Sequence, residues 1–218
     1  MKRQFAVIGM GRFGSSVAAT LFKEGHEVLA IDKSEENIDD HKDTVSYAVI
    51  GDSTEEETMK AVGIRNFDTV IVAIGDDIQA SILTVLLLKD MGVKHVVAKA
   101  QNKNHGQVLS KVGADRIIFP ERDMGERVAH QLMASPNVLN FIELADHYSI
   151  EEIKVPASME GRNLRELDLR AKFNVTVVAI KERNKINIAP DPEEILEPDD
   201  ILLVIGENCD LEKFERAK

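Results

Sequence analysis

The feature that most constrains this chain is an ordered run near its start. An apolar, β-branched stretch, Phe5–Ile8, leads into Gly9-Met10-Gly11-Arg12-Phe13-Gly14; a segment of helical period follows, then a second apolar stretch, Glu27–Asp32, that ends on an acid. The six-residue run fits G-x-G-x-x-G at a strand-to-helix turn. Its first glycine permits the tight turn, its second lets a pyrophosphate approach the backbone, and its third lets the helix pack closely on the sheet. The helix N-terminus then offers amide donors and the positive end of a dipole. Glycines also sit in plain turns, but strand, motif, helix, strand and acid in this order point to a nucleotide. Asp32 falls 18 residues after Gly14, where a carboxylate can accept hydrogen bonds from ribose hydroxyls.

The same alternation continues. Short apolar runs at Ala48–Ile50, Thr69–Ala73, His95–Ala98 and Arg116–Phe119 add to the first two, separated by helical segments beginning near Phe13, Ser34, Thr54, Asp77, Lys103 and Glu121. This predicts an α/β fold, a Rossmann-like doubly wound parallel sheet with strand order 3-2-1-4-5-6. Start signals support the helices: Ser34 precedes Glu35 and Glu36, and Ser53-Thr54 precedes three glutamates, all favourable at the positive end of a helix. Ligands of such sheets bind beyond the carboxyl ends of the strands. Those ends carry Lys33 after the second strand, Gly51-Asp52-Ser53 after the third, Ala73-Ile74-Gly75-Asp76 after the fourth, Lys99 after the fifth and Glu121 after the sixth. Lys99 is a candidate phosphate partner and Glu121 a metal-linked carboxylate; each could equally serve as a helix cap or half of a surface ion pair.

At Ala134-Ser135-Pro136-Asn137 a proline and turn formers interrupt the last helix, which divides the chain into 1–134, the nucleotide-binding domain, and 135–218. The second part reads as a small α+β module. Ser149–Val155, Val175–Ile180, Ile186–Ile188 and Ile201–Ile205 are its strands, with short helices at Asn163–Leu167 and Leu211–Arg216. Arg183-Asn184-Lys185 marks a hairpin. A length of 218 residues with 44% hydrophobic content accommodates two such cores.

Charge and cysteine usage narrow the setting. With 27 Lys plus Arg against 38 Asp plus Glu, the net charge of −11 repels nucleic acid and anionic lipid. The longest apolar run, Ile82–Leu88, is far below the roughly 20 residues a spanning helix needs. The chain is therefore expected in the cytoplasm, reaching a membrane only through a partner. Cys209, the single cysteine, has no intramolecular disulfide partner and suits a reducing compartment.

The choice of nucleotide is less constrained. An acid at position 32 disfavours a 2′-phosphate and therefore NADP, while NAD, ADP and ATP share the ribose it would hold. Arg12 carries more charge than a backbone-bound diphosphate needs: either it pairs with phosphate oxygens or it is a solvated arginine at a helix start. An NAD-dependent oxidoreductase is one reading. It requires an acid or base beside the nicotinamide, and the second module offers His147 as its histidine, with no H-E-x-x-H, cysteine cluster, G-x-S-x-G or G-x-x-x-x-G-K-[ST] anywhere. No catalytic residue is assigned.

Beyond the glycine loop, several stretches carry a more specific signal: Phe5 to Gly14; Val70-Ile71-Val72-Ala73-Ile74-Gly75 with Gln79-Ala80-Ser81; Lys99-Ala100-Gln101-Asn102; Gly113-Ala114-Asp115-Arg116-Ile117-Ile118 with Pro120-Glu121-Arg122-Asp123-Met124-Gly125; and Leu167-Asp168-Leu169-Arg170-Ala171-Lys172-Phe173. Together they resemble the RCK-domain (regulator of K+ conductance) subunits of bacterial Ktr and Trk potassium transporters, on the Ktr side. The resemblance implies a non-enzymatic regulatory subunit, assembled from dimers into an octameric ring, docked on the cytosolic face of a separate potassium-translocating pore protein. It implies that ATP and ADP compete for one site and that ATP favours the active transporter. It further implies that Arg12 reaches the terminal phosphates, partly across the dimer, that Lys99 faces them, and that Glu121 helps hold a divalent cation, magnesium or calcium. The full set of nucleotide contacts so expected is Gly9, Gly11, Arg12, Phe13, Gly14, Asp32, Lys33, Asp52, Ser53, Ala73, Ile74, Gly75, Lys99 and Glu121. The C-terminal module resembles the RCK C-terminal domain, which in several such subunits binds cyclic di-AMP and inactivates transport. On that basis Arg170 meets the ligand's phosphate and Leu164, Val175 and Pro190 lie where walls would stand; the alternative is that Arg170 caps the short helix and the apolar residues are core.

Overall fold

A computed structural model describes residues 2–133, 138–183 and 185–216, with the side chains of residues 130, 131 and 133 outside the description. The chain separates into two compact units, Met1–Met124 and Gly125–Lys218. The expected division at 134–137 lies outside the described residues, as does Asn184 of the expected hairpin turn.

The first unit alternates strand and helix: β1 (Gln4–Ile8), α1 (Arg12–Lys23), β2 (Glu27–Asp32), α2 (Glu35–His41), β3 (Tyr47–Ile50), α3 (Glu56–Ala61), β4 (Thr69–Val72), α4 (Ile78–Asp90), β5 (Val96–Lys99), α5 (Lys103–Lys111) and β6 (Arg116–Ile118), with α6 (Pro120–Met133) running across the division between units. All pairings are parallel and the order is β3-β2-β1-β4-β5-β6, the doubly wound arrangement. Burial on both faces explains the continuous apolar runs. Ala6, Ile8, Leu29, Ile31, Val70 and Val72 point into one core with Met59, Val85, Leu88 and Leu109 of α3, α4 and α5. The alternate residues Phe5, Val7, Val28, Ala30 and Ile71 point into the other with Ala18 and Ile38 of α1 and α2. The order reverses at β1, between β2 and β4, which opens a crevice at the carboxyl ends of these strands.

Local capping fixes where the helices begin. Ser34 Oγ accepts from Asn37 N at 3.3 Å, Asp77 Oδ1 from Ala80 N at 2.9 Å and Asn102 Oδ1 from His105 N at 3.0 Å, each satisfying a first-turn amide. The third helix starts at Glu56, two residues later than its sequence signal. Asp52 Oδ1 draws in both Thr54 N, at 2.8 Å, and Thr54 Oγ1, at 2.7 Å, and holds Thr54 in a turn ahead of the helix.

The second unit contains β7 (Val138–Ala145), β8 (Tyr148–Lys154), α7 (Leu164–Leu167), α8 (Leu169–Phe173), β9 (Thr176–Glu182), β10 (Lys185–Ile188), β11 (Ile201–Glu207) and α9 (Asn208–Glu215). Its sheet is antiparallel in the order β10-β9-β11-β8-β7, and Lys185 pairs with Glu182 across the expected hairpin. Ile153, Val204, Leu211 and Phe214 close its core without exposure. β7 is an edge strand that the sequence pattern did not reveal.

Candidate functional site

The glycine turn is built by steric necessity at two positions. Gly9 has φ of +94°, and a Cβ there would stand 3.1 Å from the backbone of Ala73 and Ile74, so only glycine lets β1 and β4 end this close together. A Cβ on Gly14 would stand 1.8 Å from the Gly9 carbonyl oxygen; its absence lets α1 seat on the turn. Gly11 differs. It caps α1 with no side-chain hydrogen bond, its φ is an ordinary −67°, and a Cβ there would meet nothing within 4 Å. It leaves open space over the first-turn amides of α1, the cradle an anionic group needs. The donor set and this vacancy for a Cβ fit a phosphate.

Beside the turn lies a cavity of about 450 Å³ in the crevice. Gly9, Gly11, Asp32, Lys33, Asp52, Ser53, Ala73, Ile74 and Gly75 all line it, bringing together nine of the expected contacts from four strand ends. Asn37, Thr54, Asp77, Gln79 and Leu83 line it too and are not among the expected nucleotide contacts. Ser53 is held by a buried hydroxyl pair, 2.7 Å from Thr84 Oγ1. The hydroxyl and amide of Thr54 hold the Asp52 carboxyl below its ordinary range, with the Lys33 charge adding to the effect. The carboxylate of Asp32 is already engaged: Oδ2 accepts from Met10 N at 2.6 Å and Asn37 Nδ2 at 3.1 Å, and Oδ1 from Ser34 N at 2.8 Å. Asp32 therefore shapes the turn as well as facing the cavity.

Arg12, Phe13, Gly14, Lys99 and Glu121 do not line the cavity. Lys99, Phe13 and Glu121 instead form one cluster. Lys99 Nζ donates to Glu121 Oε1 at 2.6 Å and lies 5.9 Å from the centre of the Phe13 ring; its side chain is 12% exposed. The bonded Lys99 ammonium holds the Glu121 carboxyl below its usual range, and the Arg12 charge acts in the same direction. Lys99 Nζ would lie 3.5 Å from a Cβ on Gly75, so the cluster adjoins the cavity wall. The side-chain amide of Gln101 donates to the Gly75 carbonyl and ties the loops after β4 and β5 together. Arg12 itself is exposed, with no carboxylate of the described residues in salt-bridge range. The ion-pair alternative for Lys99 and Glu121 is thus the one formed here. A single carboxylate held by a lysine is not a cation cage; a divalent ion at Glu121 would need phosphate oxygens to complete its shell.

In the second unit, Arg170 is exposed on α8, and Leu164 and Pro190 are partly exposed. Val175 is wholly buried in the core and packs under Gly206, so as a ligand wall it acts only through the residues it supports. No helix among the described residues is long and apolar enough to cross a membrane.

Comparison with known proteins places this geometry in a family. Residues 5–120 match the TrkA-N domain and residues 150–218 the TrkA-C domain. The Ktr system potassium uptake protein C of Bacillus subtilis (strain 168) is 48% identical over 216 residues, covering 99% of this chain and 97% of that protein. The chain belongs to the Ktr family of potassium uptake proteins. Among solved structures, the GsuK channel bound to NAD is 25% identical with a TM-score of 0.54, covering 99% of this Ktr chain and 38% of that one. GsuK bound to ADP is 25% identical with a TM-score of 0.53, over 60% of this chain and 34% of that one. Both the nucleotide fold and the C-terminal module of the Ktr chain thus have counterparts in an RCK channel.

Proposed function

We propose that this Ktr protein is the regulatory subunit of a membrane potassium transporter and senses ATP against ADP at the crevice of its first unit. The observation that carries the reading is the pairing of two environments. A cavity with a glycine cradle and Asp32 suits the adenosine and first phosphates, and the cluster of Lys99, Phe13, Glu121 and the unpaired Arg12 adjoins it at Gly75. A nucleotide supplies the site with phosphate charge, and the γ-phosphate adds further negative charge. The protein's residues do the rest. Arg12 has no carboxylate partner to leave among the described residues, so it is available to a phosphate. Lys99 can exchange Glu121 for phosphate, which would free Glu121 to face a divalent cation. A dimer in which both partners' clusters converge on these groups has a different preferred geometry with ATP than with ADP, and a coupling of about 1–3 kcal/mol per site is enough to shift a ring of subunits.

On this reading the chain acts in the cytoplasm, as a dimer within an octameric ring on the inner face of a pore subunit, and catalyses no reaction. NAD(H) is a further candidate ligand, since the GsuK channel binds it on a related fold. The exposed Arg170 of the second unit supports a second input, cyclic di-AMP, that inhibits transport. Small-angle scattering of the full chain with ATP and then ADP tests the sensing mechanism. The reading predicts a ring-sized particle whose profile differs between the two nucleotides; identical profiles at saturation would rule out nucleotide-dependent geometry.

A further inference from the structure

The hydrogen-bond count at Asp32 leaves too little room for the role its position suggests. An ionised carboxylate offers about four acceptor sites, two on each oxygen. In this structure Oδ2 accepts from Met10 N and Asn37 Nδ2, and Oδ1 from Ser34 N. One site, on Oδ1, remains. A ribose diol brings two hydroxyl donors, one more than Asp32 can take. The Met10 and Ser34 donors are backbone amides fixed by the glycine turn and by the start of α2, so they do not yield. Asn37 is the longest of the three contacts at 3.1 Å. Its side chain lines the same cavity. Because a carboxylate only accepts, the amide must turn Nδ2 toward Asp32, which directs its carbonyl oxygen away from it. No donor among the described residues reaches that Oδ1.

We infer that Asn37 is a specificity residue of the nucleotide site: Asp32 Oδ1 accepts one ribose hydroxyl and Asn37 Oδ1 accepts the other, so the two side chains together select an intact 2′,3′-diol. The inference rests on the nucleotide reading and deepens it. It assigns to the first turn of α2 a role that the G-x-G-x-x-G pattern and its acid do not contain. It also explains why Ser34 caps this helix through Asn37 N: the cap fixes the backbone of the residue whose side chain must present a carbonyl to the cavity.

The experiment is a binding cycle. ATP, 2′-deoxy-ATP and 3′-deoxy-ATP are titrated calorimetrically into the full chain and into Asn37→Ala, with thermal melting to confirm that the variant is folded. In the unaltered chain each deoxy analogue should bind about tenfold more weakly than ATP, the usual effect of one lost hydrogen bond. Asn37→Ala should weaken ATP by about tenfold. In that variant one deoxy analogue should bind as well as ATP does, because its missing hydroxyl has lost its Asn37 Oδ1 acceptor and, on this inference, the Asp32 Oδ2 site vacated by Asn37 Nδ2 does not replace it, while the other still suffers its full loss. Equal losses for both analogues in both proteins would show that Asn37 only steadies Asp32 and would overturn the inference while leaving the nucleotide site standing. An unaltered chain that binds neither ATP, ADP nor NAD would overturn both.

Discussion

Gly14→Ala separates the structural from the binding role of the glycine turn. The added Cβ would stand 1.8 Å from the Gly9 carbonyl oxygen, 3.0 Å from the Gly9 carbonyl carbon and 3.1 Å from Ala73 Cβ. An ordinary carbon–oxygen contact is about 3.3 Å or more, so α1 must withdraw by roughly 1.5 Å. The obstacle is backbone at the turn and cannot rotate aside. Overpacking of this kind costs about 1–3 kcal/mol and occasionally more; the backbone obstacle puts this site at the upper end, about 3 kcal/mol. In a unit of this size that lowers the melting temperature by roughly 10 °C. Gly11→Ala is the control. Its Cβ meets nothing within 4 Å, so stability should change by less than about 1 kcal/mol, while the methyl group enters the open space over the α1 amides and ATP affinity should fall at least tenfold. Circular dichroism melts and calorimetric titrations of the two variants form the assay. A Gly14→Ala protein as stable as the unaltered chain would refute the reasoning, as would a Gly11→Ala protein that loses as much stability as Gly14→Ala.

Asp32→Ala should lose stability as well as binding, by about 2 kcal/mol in denaturant unfolding, because the Met10 and Ser34 amides are left without their acceptor; unchanged stability would show that those contacts carry no net weight. A pH effect is expected in the second unit, where burial first and then the Glu215 carboxylate push Glu151 up to about 7. A raised acid binds its proton more tightly in the folded state, so this group's contribution is complete below its ordinary value, is lost as pH rises toward about 7, and is level above that. Glu151→Gln should flatten that decline in denaturant melts recorded from pH 5 to 8; a variant with the same pH profile as the unaltered chain would remove Glu151 as its source. Arg170→Ala should weaken cyclic di-AMP binding and leave ATP binding intact, and equal cyclic di-AMP affinity in the variant would take Arg170 out of that site.

The parallel sheet was legible because its central strands β1, β2 and β4 are buried on both faces and read as short apolar runs alternating with helical segments. The glycine turn was legible because Gly9 and Gly14 answer to backbone geometry alone. β7 was not, for a physical reason: it is an edge strand whose register slips twice, between Val138 and Asn140 and between Glu143 and Ala145, and Leu139, Ile142 and Leu144 are exposed. Its alternation is therefore broken where a strand signal would have to be read. Asn37 was missed because its meaning depends on how many donors Asp32 already holds, a count that only three-dimensional geometry supplies. Lys99 and Glu121 were each placed at a strand end, but their contact spans 22 residues of sequence and could be stated only as an alternative. Val175 is a different case. An apolar residue suits a ligand wall and a core equally in sequence, and here it belongs to the core.

The central claim, that the crevice of the first unit distinguishes ATP from ADP, is tested most directly by competition calorimetry on the full chain. ATP and ADP should bind one site per chain, displace each other, and differ in affinity, with Arg12→Ala reducing the ATP affinity more than the ADP affinity. Tight binding of NAD with no binding of ATP or ADP, or an Arg12→Ala protein that weakens both equally, would contradict it.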